Sequence, residues 1–207
     1  VGLNGVGTKA VNALSSHFRV VAYREGKYAE ATFSQGNLLS HKKKGTTTEK
    51  DGTLVEFEPD EDIFGEYAFN HEFVEKRMSN YACLNSGLRL NYNGQKFESK
   101  HGLLDLLRTE AGDGMIYEPA YYKAKQLEFA LTHIDGYGES YRSFVNGQYT
   151  SDGGTHQSAF REGIFKGVNE FYKKNYNSVD VRDGTFAVVA VKVKEPVFES
   201  QTKNKLG

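Results

Sequence analysis

The run TFAVVAVKVKEP, which starts at Thr185, constrains the fold of this chain more than any other stretch. From Phe186 to Val191 it is apolar without interruption and rich in Val, so it reads as a strand with no polar face to turn toward water. Such a strand belongs in the middle of a sheet. Just upstream, SDGGTHQSAFREGIFKGVNEFYKKNY reads as a glycine-containing loop that becomes a long helix with Phe160, Ile164, Val168, Phe171 and Tyr172 along one face. Just downstream, SQTKNKLG reads as a loop carried by the end of that strand.

The rest of the chain alternates between the two periodicities. Val6, Ala10, Val11 and Leu14 fall at helical spacing directly after a glycine loop. FRVVAYREG and KYAEATFSQG read as a hairpin about Glu25-Gly26, and NLLSHKKKG as a weaker third strand ending in a basic tip. GTLVEFEPD alternates, with Thr53, Val55 and Phe57 on one face, and Pro59 closes it. A helix over NHEFVEKRMSNYACL carries the stripe Phe73, Val74, Met78, Tyr81, Ala82 and Leu84 and stops at Asn85-Ser86-Gly87. Asn93-Gly94 marks a hairpin. HGLLDLLRTEAG is a short helix, and AKQLEFALTHI and ESYRSFVNGQYT are two strands around Gly136-Tyr137-Gly138. This order predicts α+β or α/β architecture with a mixed sheet and a boundary near residues 60–70, in the acidic stretch EPDEDIFGEY.

Composition excludes little. A chain of 207 residues buries roughly 70% of its unfolded surface and needs no covalent staples. The net charge of −1 gives no general attraction to nucleic acid, so any such contact would need a local patch. One cysteine, Cys83, rules out an intramolecular disulfide and points weakly to a reducing compartment. No apolar run approaches the ~20 residues of a membrane helix, so a soluble cytoplasmic protein without membrane contact is expected. Both ends read as cuts inside a larger protein.

Four stretches could carry chemistry. Gly2–Lys9 (GLNGVGTK) has the glycine spacing of a phosphate loop, but Thr8-Lys9 reverses the Lys-Ser/Thr order that a Walker loop needs to reach phosphate and Mg²⁺ together. Glycines before a helix N-terminus can cradle an anion, and Gly2, Gly5 and Gly7 are candidates for that, with Lys9 one turn in. An ordinary glycine-rich loop fits equally well. SDGGTHQ reads as a turn with Thr155 as a helix cap rather than as a ligand site, and His156 as structural. Gln201, Thr202, Lys203 and Lys205 form either an anion-binding loop or a solvated tail. Lys42, Lys43 and Lys44 could touch DNA, but a solvated hairpin tip is the usual outcome. EPDED is a cluster of like charges, Cys83 is expected in the core, and no hydrolase or metal-ligand spacing is present. A self-sufficient active site is therefore not expected.

Taken in order, GLNGVGTKAVNALS, GTLVEFEPDEDIF, LNSGLRL, DGGTHQSAFREG and DVRDGTFAVVAVKVKEPVFESQTKNKLG resemble the type IIA DNA topoisomerase ATPase subunits, the B subunits of DNA gyrase and topoisomerase IV. The resemblance covers almost the whole chain. It implies an α+β fold in which residues 1–62 form the C-terminal part of a Bergerat-type (GHKL) ATPase sandwich. Residues 63–207 would then form a transducer domain like domain 2 of ribosomal protein S5, with a left-handed βαβ crossover. It implies that Gly2, Leu3, Asn4, Gly5, Val6 and Gly7 line the triphosphate of ATP. Gln201 and Lys203 would reach the γ-phosphate in the catalytic role, with no metal ligand in this stretch. ATP and Mg²⁺ would serve the full-length protein and would not be bound by this piece alone, which is expected to lack ATPase activity and to be a monomer with an exposed apolar patch. The full-length enzyme would be a homodimer acting on DNA with the DNA-cleaving partner subunit, of gyrase A or topoisomerase IV A type. It would couple ATP binding and hydrolysis to DNA gate closure and strand passage. Asn4 stands where the bacterial loop usually has His, Lys9 is an addition, and Asp183 replaces a frequent Glu. The alternatives are a stand-alone S5-like nucleic-acid-binding module or another GHKL ATPase.

Overall fold

The computed structural model describes residues 5–207, with the backbone but not the side chains of Lys42–Lys44. Gly2, Leu3 and Asn4 of the predicted cradle lie outside the described residues. The chain divides into two compact units, one ending at Asn70 and the other spanning His71–Gly207.

The first unit begins with α1 (Val6–Ala13) and continues into β1 (Ser15–Arg24), β2 (Lys27–Ser34), β3 (Asn37–Thr46) and β4 (Gly52–Pro59). These form a four-stranded antiparallel sheet in the order β3-β2-β1-β4. Phe18 stands opposite Phe33 on one side and Phe57 on the other, so one face of the sheet is apolar across three strands. On the other face Arg19 bridges Glu30 and Glu56, tying β2, β1 and β4 together. Tyr28 pairs with Gly45 across β2 and β3. Its ring occupies the space above that glycine, where an added Cβ would come within 2.6 Å of Cζ.

Three expectations change here. Lys42–Lys44 are not at a hairpin tip; their backbone runs inside the edge strand β3. The alternation of β4 predicts a half-buried strand, yet Gly52–Glu58 are all exposed. β4 is an edge strand, and among the described residues this unit supplies only short helices to cover it. The acidic stretch is not merely a cluster of like charges. Asp60 is buried and caps α2 (Glu61–Phe64), accepting from the Asp62 N–H at 3.0 Å and from the Gln35 amide.

The second unit runs α3 (His71–Leu84), β5 (Leu90–Tyr92), β6 (Gln95–Phe97), α4 (Leu103–Ala111), β7 (Ala120–Lys123), β8 (Leu127–His133), β9 (Ser140–Val145), β10 (Gln148–Tyr149), α5 (Thr155–Tyr172), α6 (Ser178–Arg182) and β11 (Thr185–Val191). β5 and β6 form a separate hairpin, and the other strands form a five-stranded mixed sheet in the order β10-β9-β11-β8-β7. β11 is the middle strand, parallel to β9 and antiparallel to β8. Its uninterrupted apolar run serves two cores. Phe186 and Val188 pack with Leu103, Leu106 and Leu107 of α4, with Cys83 of α3 and with Phe144. Ala187 and Val189 face the other way and pack with Leu131 and with Phe160 of α5. Helices thus cover both faces, and each fully buried aliphatic side chain is worth ~1.5–3 kcal/mol.

The strands flanking Gly136-Tyr137-Gly138 are not partners; β11 is inserted between β8 and β9. ESYRSFVNGQYT is not one strand either, because Asn146 and Gly147, both at positive φ, fold it into the β9–β10 hairpin. The stripe of α5 holds only in its first half, with Phe160 9% exposed but Phe171 78%. In α3, likewise, Ala82 and Cys83 are buried while Phe73 and Tyr81 are exposed. Among the described residues no helix is long and apolar enough to cross a membrane.

Candidate functional site

In the first unit the described part of the glycine loop is the start of α1. Gly5 is the N-cap, in the left-handed region at φ 62, and no side chain caps the helix. No acidic residue lies in its first turn. Among the described residues the first-turn amides have no side-chain acceptor, and the dipole end carries partial positive charge. A Cβ at Gly5 or Gly7 would meet nothing within 4 Å, so the backbone there can be approached closely. Val6 and Lys9 are exposed beside it.

In the second unit the loop after β11 folds back on itself. Phe198 and Leu206 form an antiparallel bridge. The Glu199 N–H donates to Lys205 O at 3.1 Å, and the Gly207 N–H to Val197 O at 2.9 Å. At the tip the Lys203 N–H donates to Ser200 O at 3.1 Å, and Ser200 and Thr202 share a hydroxyl contact at 2.7 Å. Lys203 has φ 59. A non-glycine residue held there carries strain, a feature that clusters at functional positions.

The two loop lysines differ. Lys205 Nζ lies 2.9 Å from the Glu199 carboxylate, which raises the lysine pKa. Lys203 makes no ion pair among the described residues. Gln201 is exposed at the tip and Lys203 is partly exposed. The loop thus presents one uncommitted cation and one amide on a backbone braced by the central strand.

The DGGTH stretch does something the sequence did not reveal. Thr155 is not the cap of α5. It is the first helical residue, the N-cap is Gly154, and the Thr155 hydroxyl donates to Gly207 O at 2.8 Å. Gly154 and Leu206 form a parallel bridge. The Thr155 N–H donates to Leu206 O at 3.2 Å, the Leu206 N–H to Gly153 O at 3.1 Å, and the Asp152 N–H to Asn204 O at 3.0 Å. A tail carbonyl therefore does the capping that a side chain usually does.

Behind this contact lies a polar group of buried Ser143 and Thr150 with half-buried His156 and Gln157. Thr150 donates to Ser143 O at 2.8 Å, and the Ser143 hydroxyl lies 3.0 Å from Gln157 Oε1. His156 Nε2 is 3.1 Å from Thr150 Oγ1. Since the Thr150 proton is committed to Ser143, Nε2 is the donor in that pair, which leaves the buried Nδ1 without a partner. Burial lowers the pKa of His156. The imidazole is thus held in the fold by the Thr150 contact, and its burial disfavours the charged form. A separate, charged group joins the start of β9 to α5 and α6. Glu139 accepts from Arg161 and Tyr141 and lies 3.7 Å from Arg182. Burial opposes ionisation of Glu139, but the Arg161 and Tyr141 hydrogen bonds and the arginine charges hold its pKa below the usual carboxylate value.

Cys83 is buried, and its thiol pKa is raised by desolvation. No group of three or more His, Cys, Asp or Glu side chains suited to a metal ion occurs among the described residues.

Sheets and loops of this kind are shared with a DNA gyrase B ATPase domain of known structure. The 43K ATPase domain of Thermus thermophilus gyrase B superposes with a TM-score of 0.79 at 31% identity, covering 98% of this chain and 61% of that one. The DNA gyrase B family model matches residues 90–207, and the chain belongs to that family. It is 57% identical over its whole length to one of the B subunits, that of DNA topoisomerase 4 from Borreliella burgdorferi, and 36% identical to DNA gyrase B of Campylobacter jejuni. It spans about a third of the length of these curated relatives, 35% and 29%.

Proposed function

We propose that this chain is part of the ATP-hydrolysing subunit of a bacterial type II DNA topoisomerase, of topoisomerase IV or gyrase type. In this reading residues 63–207 are the transducer domain, and ATP binding in the complete subunit drives DNA gate closure and strand passage. DNA, a second copy of the subunit and the DNA-cleaving subunit are its partners. Its place is the cytoplasm.

The observation that carries the reading is the loop after β11, where among the described residues Lys203 has no ion pair and Lys205 has one. A cation on a braced loop suits a γ-phosphate, and Gln201 at the same tip can donate a second hydrogen bond. In the first unit, taken by itself, the amides at the start of α1 suit phosphate oxygens. In this reading Gly2, Leu3, Asn4, Gly5, Val6 and Gly7 serve as phosphate-binding residues. ATP supplies the phosphoryl group and the energy of its transfer. This chain's residues hold the phosphates and sense whether the terminal one is present. The described residues offer no group of three or more His, Cys, Asp or Glu side chains for Mg²⁺.

Sensing follows from differential affinity. A lysine that meets only the γ-phosphate binds ATP better than ADP, and hydrolysis shifts the population away from the closed arrangement. A charge-assisted hydrogen bond is worth ~1.5–3 kcal/mol, about 10- to 150-fold in affinity. The test is Lys203→Ala in the complete subunit assembled with its partner. Affinity for a non-hydrolysable ATP analogue should fall by about that factor while ADP affinity is retained, and ATP-dependent strand passage should fall with it. Unchanged preference for the triphosphate would refute the assignment.

A further inference from the structure

We infer that the Gly153-Gly154-Thr155 step is a clamp that sets the position of the terminal loop, making Gly154 and Thr155 positioning residues for Lys203. The inference rests on the reading of Lys203 given above. The first ground is steric. The Leu206 backbone runs against Gly154, where an added Cβ would lie 2.6 Å from Leu206 N, 2.9 Å from its Cα and closer still to its carbonyl oxygen. These are backbone atoms and cannot rotate away. Gly154 also sits at φ 131, a conformation that L side chains rarely adopt.

The second ground is the number of bonds that meet there. Asp152, Thr155 and Leu206 donate backbone N–H groups across the contact, and the Thr155 hydroxyl reaches Gly207 O. All of them fix residues 204–207, and residues 199 and 205 pair directly behind the tip that holds Lys203. The third ground is the stiffness of the base. Gly153 packs against Gln157, where an added Cβ would come within 2.8 Å of Oε1, and Gln157 belongs to the polar group of Ser143, Thr150 and His156. α5, which starts at the clamp, is anchored to the sheet through Phe160. The loop is therefore held from two sides, by β11 through the chain and by the start of α5 through the clamp. Displacing it by about 1 Å moves the Lys203 ammonium out of hydrogen-bond reach, a change that costs up to ~100-fold where geometry matters.

The experiment uses the complete subunit with its partner and the variants Gly154→Ala, Thr155→Val, Lys203→Ala and, as a neutral glycine control, Gly163→Ala, whose Cβ would meet nothing within 4 Å. Triphosphate-analogue and ADP affinities are measured, together with amide hydrogen exchange at Leu206 and Gly207. Gly154→Ala should lower analogue affinity by roughly tenfold or more, leave ADP affinity within about twofold and accelerate exchange at Leu206. Thr155→Val, which keeps shape and loses one hydrogen bond, should show the same pattern at a few-fold, and it carries the test if Gly154→Ala fails to fold. Gly163→Ala should change neither affinity. If Lys203→Ala abolishes the preference for triphosphate while the clamp variants keep it, the clamp is refuted and the reading of Lys203 stands. If Lys203→Ala keeps the preference, the reading of Lys203 fails, and the clamp fails as a positioning device with it.

Discussion

Truncating Phe160 to alanine is expected to destabilise the His71–Gly207 unit by about 3–5 kcal/mol. The side chain is 9% exposed and packs with Leu131, Ala187 and Val189. Its ring centroid lies 5.1 Å from that of Phe129 and 6.3 Å from that of Tyr141, the latter edge-on. Loss of transfer energy accounts for ~1.5–3 kcal/mol, loss of the aromatic geometry adds ~0.5–1.5 kcal/mol, and the cavity left between helix and sheet supplies the rest. At roughly 4 °C per kcal/mol, the transition should fall by about 12–20 °C. Phe171, on the same helix face but 78% exposed, should change stability by less than ~0.5 kcal/mol when truncated. Differential scanning calorimetry is the appropriate assay, because two units need not unfold as one transition. A loss below ~1 kcal/mol for Phe160→Ala, or equal losses for the two variants, would refute the view that α5 is anchored by its first half.

His156 should make the second unit sensitive to mild acid. Burial lowers its folded pKa, whereas the unfolded chain takes up a proton near pH ~6.5, so this contribution is complete above that value and lost as pH falls through the folded pKa. Urea midpoints of the parent should drop more from neutral to mildly acidic pH than those of His156→Gln, and parallel drops would count against it. Gly45→Ala should cost ~1–3 kcal/mol by displacing the Tyr28 ring. That cost should shrink in a Tyr28→Ala background, and an additive cycle would exclude steric coupling. Cys83, buried with a raised thiol pKa, should react with a disulfide reagent at least about tenfold more slowly in the native chain than in denaturant. Equal rates would remove it from the core.

Much of the secondary structure was legible because the strongest signals are local. The apolar run of β11 and the Leu pattern of α4 each carry enough burial to override neighbouring ambiguity. β7 (AYYK) was missed because it is a four-residue edge strand, exposed throughout, with no alternation to read. α6 was missed for its length, although Asn177, whose side chain accepts from the Val179 N–H, is a cap visible in sequence. β10 was recoverable, since Asn146-Gly147 is the same dipeptide already read as a turn at Asn93-Gly94. Strand order was not recoverable from periodicity, because nothing local to β8 or β9 says that residues from the end of the chain will lie between them. For the same reason the clamp stayed hidden. Gly154 looks like any turn glycine until Leu206, which is remote in sequence, is seen lying against it.

The central placement of β11 also dictates a timetable. The first sheet is built from strands joined by short links in sequence, so it can close while the rest of the chain is still being made. The second sheet cannot. Thr185 pairs with His133 across 52 residues of chain, a lag of roughly 3–10 s at ~5–20 residues per second. During that interval β8–β7 and β9–β10 exist at best as two separate hairpins, each with an open hydrogen-bonding edge. The newborn chain is therefore most prone to wrong strand pairing, and most in need of chaperone protection, in the seconds before TFAVVAV arrives.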